Sequence, residues 1–318
     1  MRYRIAAASR RARSAAGALC AAVAVVALAA PTTAAPAAPP RGAATCPTTL
    51  SVVAHQDDDI LFINPDLQGD IRSGRCIVAM FLTAGDAGRP TAYWRGREAG
   101  AMAAYATMAG RPNRWVSKPV TLAGHPVTRV TLVGRRISLL FLRLPDGHGY
   151  ANHDWETIAQ LWKGSIPAVH SIDSGVAYSR DGLVDTVGDA MRVWRPDVVR
   201  TLDYTVGYGP GDHGDHQSAA YVTYAAHQAY ATAHRLYAYR GYRVSDQPEN
   251  LSLAAARAKM GVFLAYAQHD ATVCKTPRAC RKRAYWGWFY RRYRTADPPS
   301  ADALPPPPAV TTALPRAS

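Results

Sequence analysis

Short apolar runs, separated by polar or glycine-containing loops, recur along the middle of the chain. Leu50–Ala54 and Cys76–Thr83 are two such runs, and Val198–Leu202 is a third, introduced by Arg195-Pro196-Asp197. Runs of this length between chain breakers are typical of buried strands. Helix-like sequence follows each run, and this alternation predicts an α/β fold with a Rossmann-like, mostly parallel sheet flanked by helices.

Two longer stretches have helical character. Glu98–Ala109 is rich in Ala and Met and stops at Gly110, which suits a helix that ends on a glycine, and Gln217–His234 is the second stretch. Between them, Val127–Val133 and Ile137–Leu142 flank a Gly-Arg-Arg turn and alternate in part. This pattern predicts an antiparallel hairpin inserted into the fold. No G-x-G-x-x-G nucleotide fingerprint joins the first strand to a helix.

The two ends of the chain differ from the middle. Residues 1–40 hold five arginines and no acid, then an Ala/Val-rich apolar run and small residues, which is the pattern of a secretory signal peptide. The Arg10-Arg11 pair leaves both the Sec and the twin-arginine route open. The apolar run is shorter than the roughly 20 residues of a membrane span, so no stable membrane anchor is expected. We predict a signal peptide and linker over 1–40, one domain over 41–294, and a disordered Pro-rich tail over 295–318.

Composition and charge fit a soluble globular domain with a basic end. The 318 residues are 48% apolar and 19% charged, with a formal net charge of +14. The excess is concentrated in Lys275–Arg294, the basic aromatic segment, where cations and aromatic residues interleave. We favour aromatic rings packed on the domain, and contact with an anionic cell-wall polymer is the alternative. A nucleic-acid partner, the usual inference from such a segment, is not expected of an exported protein.

Four cysteines lie beyond the predicted signal peptide: Cys46, Cys76, Cys274 and Cys280. An even number in an oxidising compartment predicts two disulfides. Cys46 precedes the first strand and Cys76 opens the second, so parallel neighbouring strands would place the two side by side. The predicted pairs are therefore 46–76 and 274–280. A zinc-binding quartet is the alternative, although close C-x-x-C pairs are absent.

Candidate chemistry follows the first and third predicted strands. His55 and Asp57–Asp59 place one imidazole and three carboxylates on one turn, where the carboxylates repel one another unless a cation compensates. In His213-Gly214-Asp215-His216, Asp215 can cap the next helix and the two histidines can face one point. Each motif alone also suits a solvated turn or a surface cap. Because the two motifs both follow the carboxyl end of a predicted strand, together they predict a zinc site with an open position for water.

The paired motifs resemble those of the N-acetylglucosaminylphosphatidylinositol de-N-acetylase family, also called PIG-L or LmbE-like. Residues 54–59 are similar to the family's A-H-P-D-D-E, with Gln56 and Asp59 replacing Pro and Glu, and residues 213–216 to its H-P-D-H, with Gly214 replacing Pro. These departures keep the ligand types. Further similarities span residues 50–235 and include Thr83-Ala84-Gly85, Arg95-x-x-Glu98, Leu144-Pro145-Asp146-Gly147 and Arg195-Pro196-Asp197.

The resemblance implies that His55, Asp58 and His216 bind Zn²⁺ and that Asp57 is the general base. Chemical reasoning agrees, because hydrolysis of an amide beside zinc needs a carboxylate that accepts the proton of the attacking water.

Four further residues complete the expected site. His213 suits the role of proton donor, and Asp215 is expected to hold it in its charged form. By the same resemblance, Arg95 and Asp146 contact the sugar, although Arg95 also suits a surface salt bridge on a helix. Asp59 either supports the ligands or is a solvated acid.

The expected function is a secreted, zinc-dependent N-deacetylase, a hydrolase that removes the N-acetyl or N-acyl group from an amino sugar such as N-acetylglucosamine. The substrate would be a glycan, a glycolipid or a glycoconjugate. Two alternatives remain open: another metal-dependent amidase or phosphoesterase, and a noncatalytic module that binds glycan or wall polymer.

Overall fold

The structure, a computed structural model, describes residues 46–147 and 156–295 together with Ala303. The predicted signal peptide and linker of residues 1–40 lie outside the described residues, as does the predicted tail apart from Thr295 and Ala303. Within the described part of the chain, no helix is long and apolar enough to cross a membrane.

A nine-stranded sheet forms the centre of the fold. The strands are β1 Thr48–Val53, β2 Cys76–Thr83, β3 Trp115–Ser117, β4 Val120–Leu122, β5 His125–Leu132, β6 Ile137–Leu144, β7 Val169–His170, β8 Ala177–Tyr178, β9 Val198–Leu202, β10 Arg235–Tyr239 and β11 Arg294–Thr295. The order is β11-β10-β9-β1-β2-β6-β5-β3, with β4 beside β5, and β7 and β8 form a separate ribbon. Pairing is parallel from β10 to β6 and antiparallel at both edges.

Helices cover both faces of this sheet. They are α1 Asp66–Arg72, α2 Thr91–Ala109, α3 Ile158–Trp162, α4 Arg180–Trp194, α5 Gly214–Ala229, α6 Leu253–Ala267, α7 Pro277–Cys280 and α8 Tyr285–Phe289, with a π-helical turn at Asp59–Ile63 and a 3₁₀ turn at Tyr242–Asp246. One core layer contains α1, α2, α6 and α8, and the other contains α3, α4 and α5. Because the central strands are buried on both faces, their sequences are continuous apolar runs.

The predicted mostly parallel sheet with flanking helices is confirmed, with differences at element ends. Strands β2 and β9 have the predicted bounds, whereas α2 begins at Thr91 instead of Glu98. Helix α5 ends at Ala229 because the chain then enters β10, which the sequence analysis missed. The predicted hairpin exists as β5 and β6, yet β6 also pairs in parallel with β2. The hairpin is therefore also part of the central sheet.

The topology creates a crevice at the carboxyl ends of β1 and β9. Strand β1 lies between β2 and β9. The chain leaves β1 through the π-helical turn and α1 on one face, and leaves β9 through α5 on the other face. Loops that diverge in this way open the sheet edge to ligands.

The basic aromatic segment is part of the core. Its aromatic rings pack against the layer that contains α6 and α8. The buried Lys259 ammonium of α6 donates to the carbonyls of Trp288 and Arg291, 2.7 Å from each. Burial lowers the pKa of Lys259 well below its usual value. Arg292 pairs with Asp66 of α1 at 3.1 Å. The rings are packed as expected, and contact with a wall polymer stays a prediction.

Both predicted disulfides are present. Thr48 of β1 lies opposite Cys76 of β2, which brings Cys46 and Cys76 to a Cα–Cα distance of 5.7 Å. Cys274 and Cys280 lie 5.1 Å apart by the same measure.

Nonreducing peptide mapping of the purified protein should recover the pairs 46–76 and 274–280. Cys46→Ser/Cys76→Ser is expected to lower the free energy of unfolding by roughly 3–4 kcal/mol, because this link closes the longer loop. For the matched pair Cys274→Ser/Cys280→Ser, loop entropy accounts for about 2 kcal/mol. Free thiols at all four positions would contradict the pairing.

Two glycines bring α2 close to the end of α6. A Cβ at Gly100 would lie 2.6 Å from Cδ2 and 2.8 Å from the carbonyl oxygen of Tyr266. A Cβ at Gly96 would lie 2.6 Å from the carbonyl oxygen of His269. The two helices therefore approach each other with backbone against backbone.

Gly100→Ala is expected to lower the free energy of unfolding by about 1–3 kcal/mol, since the added methyl group overpacks this contact. Gly261, an exposed residue of α6, has open space around it. Gly261→Ala is the matched control and should raise the free energy of unfolding by about 0.5–1 kcal/mol through helix propensity. Urea unfolding measures both, and equal stabilisation by the two changes would show that the helices are not closely packed.

Candidate active site

The turn after β1 aims its three carboxylates in different directions. Asp57 accepts a hydrogen bond of 2.6 Å from Arg97. Asp58 faces two histidines, and Asp59 points into the core, where Tyr105 donates to it. Burial raises the pKa of Asp59 to about 7, although the Tyr105 hydrogen bond opposes the rise. Separate partners relieve the repulsion expected from the sequence, so the case for a metal depends on Asp58 and its neighbours.

Asp58 bridges His55 and His216. Its Oδ2 lies 3.4 Å from Nδ1 of His55 and accepts from the His55 backbone amide at 2.6 Å, while its Oδ1 lies 3.0 Å from Nε2 of His216. All three residues are buried, and they offer donor atoms within 4.8 Å of one another. Two imidazoles and one carboxylate, buried together, form a donor set that suits zinc.

Asp212 orients His216. Its Oδ1 lies 2.7 Å from Nδ1 of His216, which turns the other ring nitrogen towards Asp58. Burial lowers the pKa of His216, but Asp58 and Asp212 outweigh it and raise the pKa to about 10. A metal that binds this nitrogen therefore displaces a proton. Asp212 is not among the residues predicted from the sequence, although a carboxylate four residues before a candidate ligand histidine is a readable signal.

His213 caps α5, a role that the sequence analysis gave to Asp215. Its Nδ1 accepts from the Asp215 backbone amide at 3.2 Å, so the ring proton resides on Nε2, 3.5 Å from Oδ1 of Asp146. The Asp215 carboxylate lies 3.7 Å from Nδ1 of His213 and accepts instead from the Gly147 amide at 2.8 Å. The expected hydrogen bond that would keep His213 charged is therefore not formed, and its role as proton donor stays a prediction.

A second group of possible ligands shares His55 with the first. It combines His55 with Asp146, His213 and Asp215. Nε2 of His55 faces this group, 3.4 Å from Asp215 and 3.6 Å from Asp146, while Nδ1 faces Asp58. A metal on the Nδ1 side leaves Nε2 to the Asp215 carboxylate, the usual carboxylate–histidine–metal arrangement. We therefore favour the ligand set with Asp58.

A cavity of about 150 Å³ opens onto these residues. It is lined by His55, Asp57, Asp58, Asp146, His213 and Arg97, and by an aromatic wall of Phe62, Tyr93, Tyr242, Tyr285 and Trp288. The rings of Tyr242 and Trp288 are stacked, with centroids 4.9 Å apart. The basic aromatic segment thus supplies part of the cavity wall, which the sequence analysis did not anticipate.

Arg97, and not Arg95, is the α2 arginine that reaches the site. Arg97 is buried against Asp57, whereas Arg95 is exposed with its guanidinium 4.6 Å from the centroid of the Trp94 ring. Burial raises the pKa of Asp57, and the Arg97 guanidinium opposes that rise. Residues two apart on a helix point to different sides. The structure therefore does not bring Arg95 to the cavity, and its contact with a sugar stays a prediction.

The chain was compared with solved structures, with curated proteins and with protein-family models. Several solved structures match this chain at low identity and low TM-score. A conserved protein of Thermus thermophilus is 18% identical, with 80% of this chain and 95% of that chain covered and a TM-score of 0.42. The N,N'-diacetylchitobiose deacetylase of Pyrococcus horikoshii is 11% identical, with 74% of each chain covered and a TM-score of 0.43. The 4-carboxy-2-hydroxymuconate hydratase of Pseudomonas putida KT2440 is 15% identical, with 76% of this chain and 82% of that chain covered and a TM-score of 0.42.

A search of curated proteins finds no match. The family model of PIG-L, GlcNAc-PI de-N-acetylase, matches residues 50–227, which include both motifs and more than half of the chain. The chain therefore belongs to the PIG-L family.

Proposed function

We propose that this protein is a secreted, zinc-dependent hydrolase that removes the N-acetyl group from an amino sugar in a glycan, a glycolipid or a glycoconjugate. Membership of the PIG-L family supports N-deacetylation. The observation that carries the proposal is the buried group of His55, Asp58 and His216 beside Asp57, with Asp57 facing the cavity.

His55, Asp58 and His216 would hold the zinc. When bound, zinc supplies a Lewis acid that acidifies water and polarises the acetyl carbonyl. Asp57 accepts the proton of the attacking water, because one of its oxygens is held by Arg97 while the carboxylate still lines the cavity.

His213 is placed to act on the oxyanion and on the departing amine. Its Nε2 faces the cavity beside Asp146. Water adds to the carbonyl carbon, the C–N bond breaks, and the departing nitrogen takes up a proton, so the products are acetate and the free amine. With Nδ1 accepting from the Asp215 amide, the Nε2–H can stabilise the developing oxyanion, whereas protonation of the amine by His213 would require a second proton on Nδ1.

Recognition of a sugar is supported by the rest of the cavity. Tyr93 and Tyr285 add hydroxyl groups, and Tyr242 and Trp288 add aromatic surface. Sugars combine apolar ring faces with hydroxyl groups, and aromatic side chains with polar tips suit both. Asp146, close to two histidines, is suited to contact a sugar hydroxyl as well.

Acetate release from a panel of N-acetylated sugars tests the proposal. Zinc-loaded protein is incubated with N-acetylglucosamine, chitooligosaccharides and N-acetylated glycoconjugates, and the Asp57→Asn variant, purified in parallel, is the control for contaminating enzymes. Acetate from the wild type alone supports the proposal. Release of phosphate, or cleavage of other amides without acetate from sugars, favours another metal-dependent hydrolase. Glycan binding without turnover favours a binding module.

Secretion is part of the same proposal, supported by the amino-terminal pattern of residues 1–40. Expression of the full chain in a host with an intact export pathway should yield extracellular protein with a newly formed amino terminus. Retention of Met1 on cell-associated protein would contradict it.

A further inference from the structure

We infer that Tyr266 and Asp270, at the end of α6 and just beyond it, are positioning residues that act through Arg97 on the proposed base, Asp57. The inference rests on the proposed function for the role of Asp57. The family match ends at residue 227, so these two residues lie outside the part of the chain that it covers.

Arg97 is held in place by three partners at once. Its Nη2 donates to Oδ1 of Asp57 at 2.6 Å, its Nη1 to the carbonyl of Gly85 at 2.8 Å, and its Nε to the Tyr266 hydroxyl at 2.8 Å. A guanidinium presents its donors in a fixed planar fork. Three directions are therefore occupied, and the ring of contacts leaves the guanidinium a single orientation towards Asp57.

Tyr266 connects this fork to a second buried carboxylate. Its hydroxyl accepts from Arg97 and donates to Oδ2 of Asp270 at 2.7 Å, and Arg97 Nε lies 3.4 Å from the same oxygen. Tyr266 and Asp270 are fully buried. One guanidinium thus lies between two carboxylates, and Asp270 competes with Asp57 for it. Because Nη1 donates to Gly85 and Nε to Tyr266, Arg97 reaches Asp57 through Nη2 alone.

The close approach of α2 and α6 makes this chain of contacts geometrically possible. Gly96 and Gly100 flank Arg97 on α2, and both would clash with the α6 end if they carried a Cβ. A larger residue at Gly100 would push Tyr266 away from Arg97.

Asp270 is in turn fixed to the cavity wall. Its Oδ1 accepts from the amide and the hydroxyl of Thr272, at 2.9 Å and 2.8 Å, and the Tyr93 hydroxyl lies 3.0 Å from the Thr272 hydroxyl. Tyr93 and Thr272 both line the cavity. The network therefore links the cavity wall to the proposed base.

Tyr266→Phe and Asp270→Asn test the inference on zinc-loaded full-length protein. With chitooligosaccharide as substrate, each change is expected to lower kcat about tenfold with KM within about twofold of the wild type, because a displaced base slows the chemical step more than binding. Zinc content should stay at the wild-type level. Tyr178→Phe, a buried tyrosine in the other core layer, is the matched control and should retain wild-type kcat.

A double-mutant cycle separates positioning from general loss of structure. In an Arg97→Ala background, Tyr266→Phe should lower kcat no further, since both act through the same guanidinium. Millimolar methylguanidinium should restore part of the kcat of Arg97→Ala, and tetramethylammonium should not. Wild-type kcat in Tyr266→Phe, or full additivity in the double variant, would overturn the inference.

An NMR readout is independent of turnover. The Arg97 Nε–H should give a resolved, slowly exchanging signal in the wild type, assigned by its absence in Arg97→Ala, and Tyr266→Phe should shift it and speed its exchange. If no sugar is deacetylated, the proposed function fails while this signal still tests the contact. An unchanged signal in Tyr266→Phe would show that Tyr266 does not hold Arg97.

Discussion

Asp57→Asn is expected to lower kcat by about 10²-fold or more, the usual scale for loss of a positioned proton acceptor, while the protein keeps its zinc. Asparagine retains an oxygen that can accept from Arg97, so the local hydrogen bond is preserved. It cannot accept a proton from water at neutral pH. Because Asp57 points towards Arg97 and the ligand candidate Asp58 points towards His55 and His216, the change removes the base without touching the ligand set.

Steady-state kinetics and elemental analysis of the same preparation check this result. Asp181→Asn, an exposed carboxylate of α4, is the control and should leave both kcat and zinc unchanged. If Asp57→Asn loses zinc, Asp57 is a ligand instead of a base. If it keeps both zinc and near-wild-type kcat, another group accepts the proton.

The central strands could be predicted because burial on both faces requires a continuous run of apolar residues. Residues of β2 alternate between the two core layers, with Ile77 in one and Val78 in the other, and both layers demand apolar side chains. The short strand β10 carries a weaker signal, because Arg235 is exposed and Leu236 only half-buried. The predicted helix stops at His234, and the sequence predicts no element over residues 235–239.

The proposed ligand types could be read from the sequence, but their partners could not. The spacing of His213 and His216 says that both can face one point, yet only the structure shows that His213 is engaged by the Asp215 amide. Arg95 and Arg97 carry the same charge on the same helix, and the rotation of α2 decides between them. The same rotation places Gly100 against Tyr266, a contact between residues remote in sequence.

The cavity wall was beyond sequence reasoning for a similar reason. Trp288 belongs to a segment whose composition indicates packing, and it does pack, with its ring against Phe62 and Tyr242. Trp288 also lines the cavity, because β11 and the Lys259 hydrogen bond fix the position of the segment. Composition alone does not distinguish a core ring from one that also borders a site.

His216→Ala and Asp58→Ala are each expected to lose most of the zinc that the wild type carries, about one ion per chain, because each removes one of three protein ligands. His213→Ala is expected to keep the metal, since its Nδ1 is occupied by the Asp215 amide and its Nε2 faces Asp146. Loss of this helix cap should lower the free energy of unfolding by about 1 kcal/mol, which thermal or urea unfolding measures separately from zinc content.

The contrast between the two histidines decides which ligand group holds the metal. His216 belongs only to the group with Asp58, and His213 only to the group with Asp146 and Asp215. Zinc lost from His213→Ala but retained by His216→Ala would therefore move the metal to the second group and exchange ligand and proton donor. Full zinc in both Asp58→Ala and His216→Ala would remove the proposed ligand set. Calcium in place of zinc would favour a binding module, since calcium prefers oxygen ligands over imidazole.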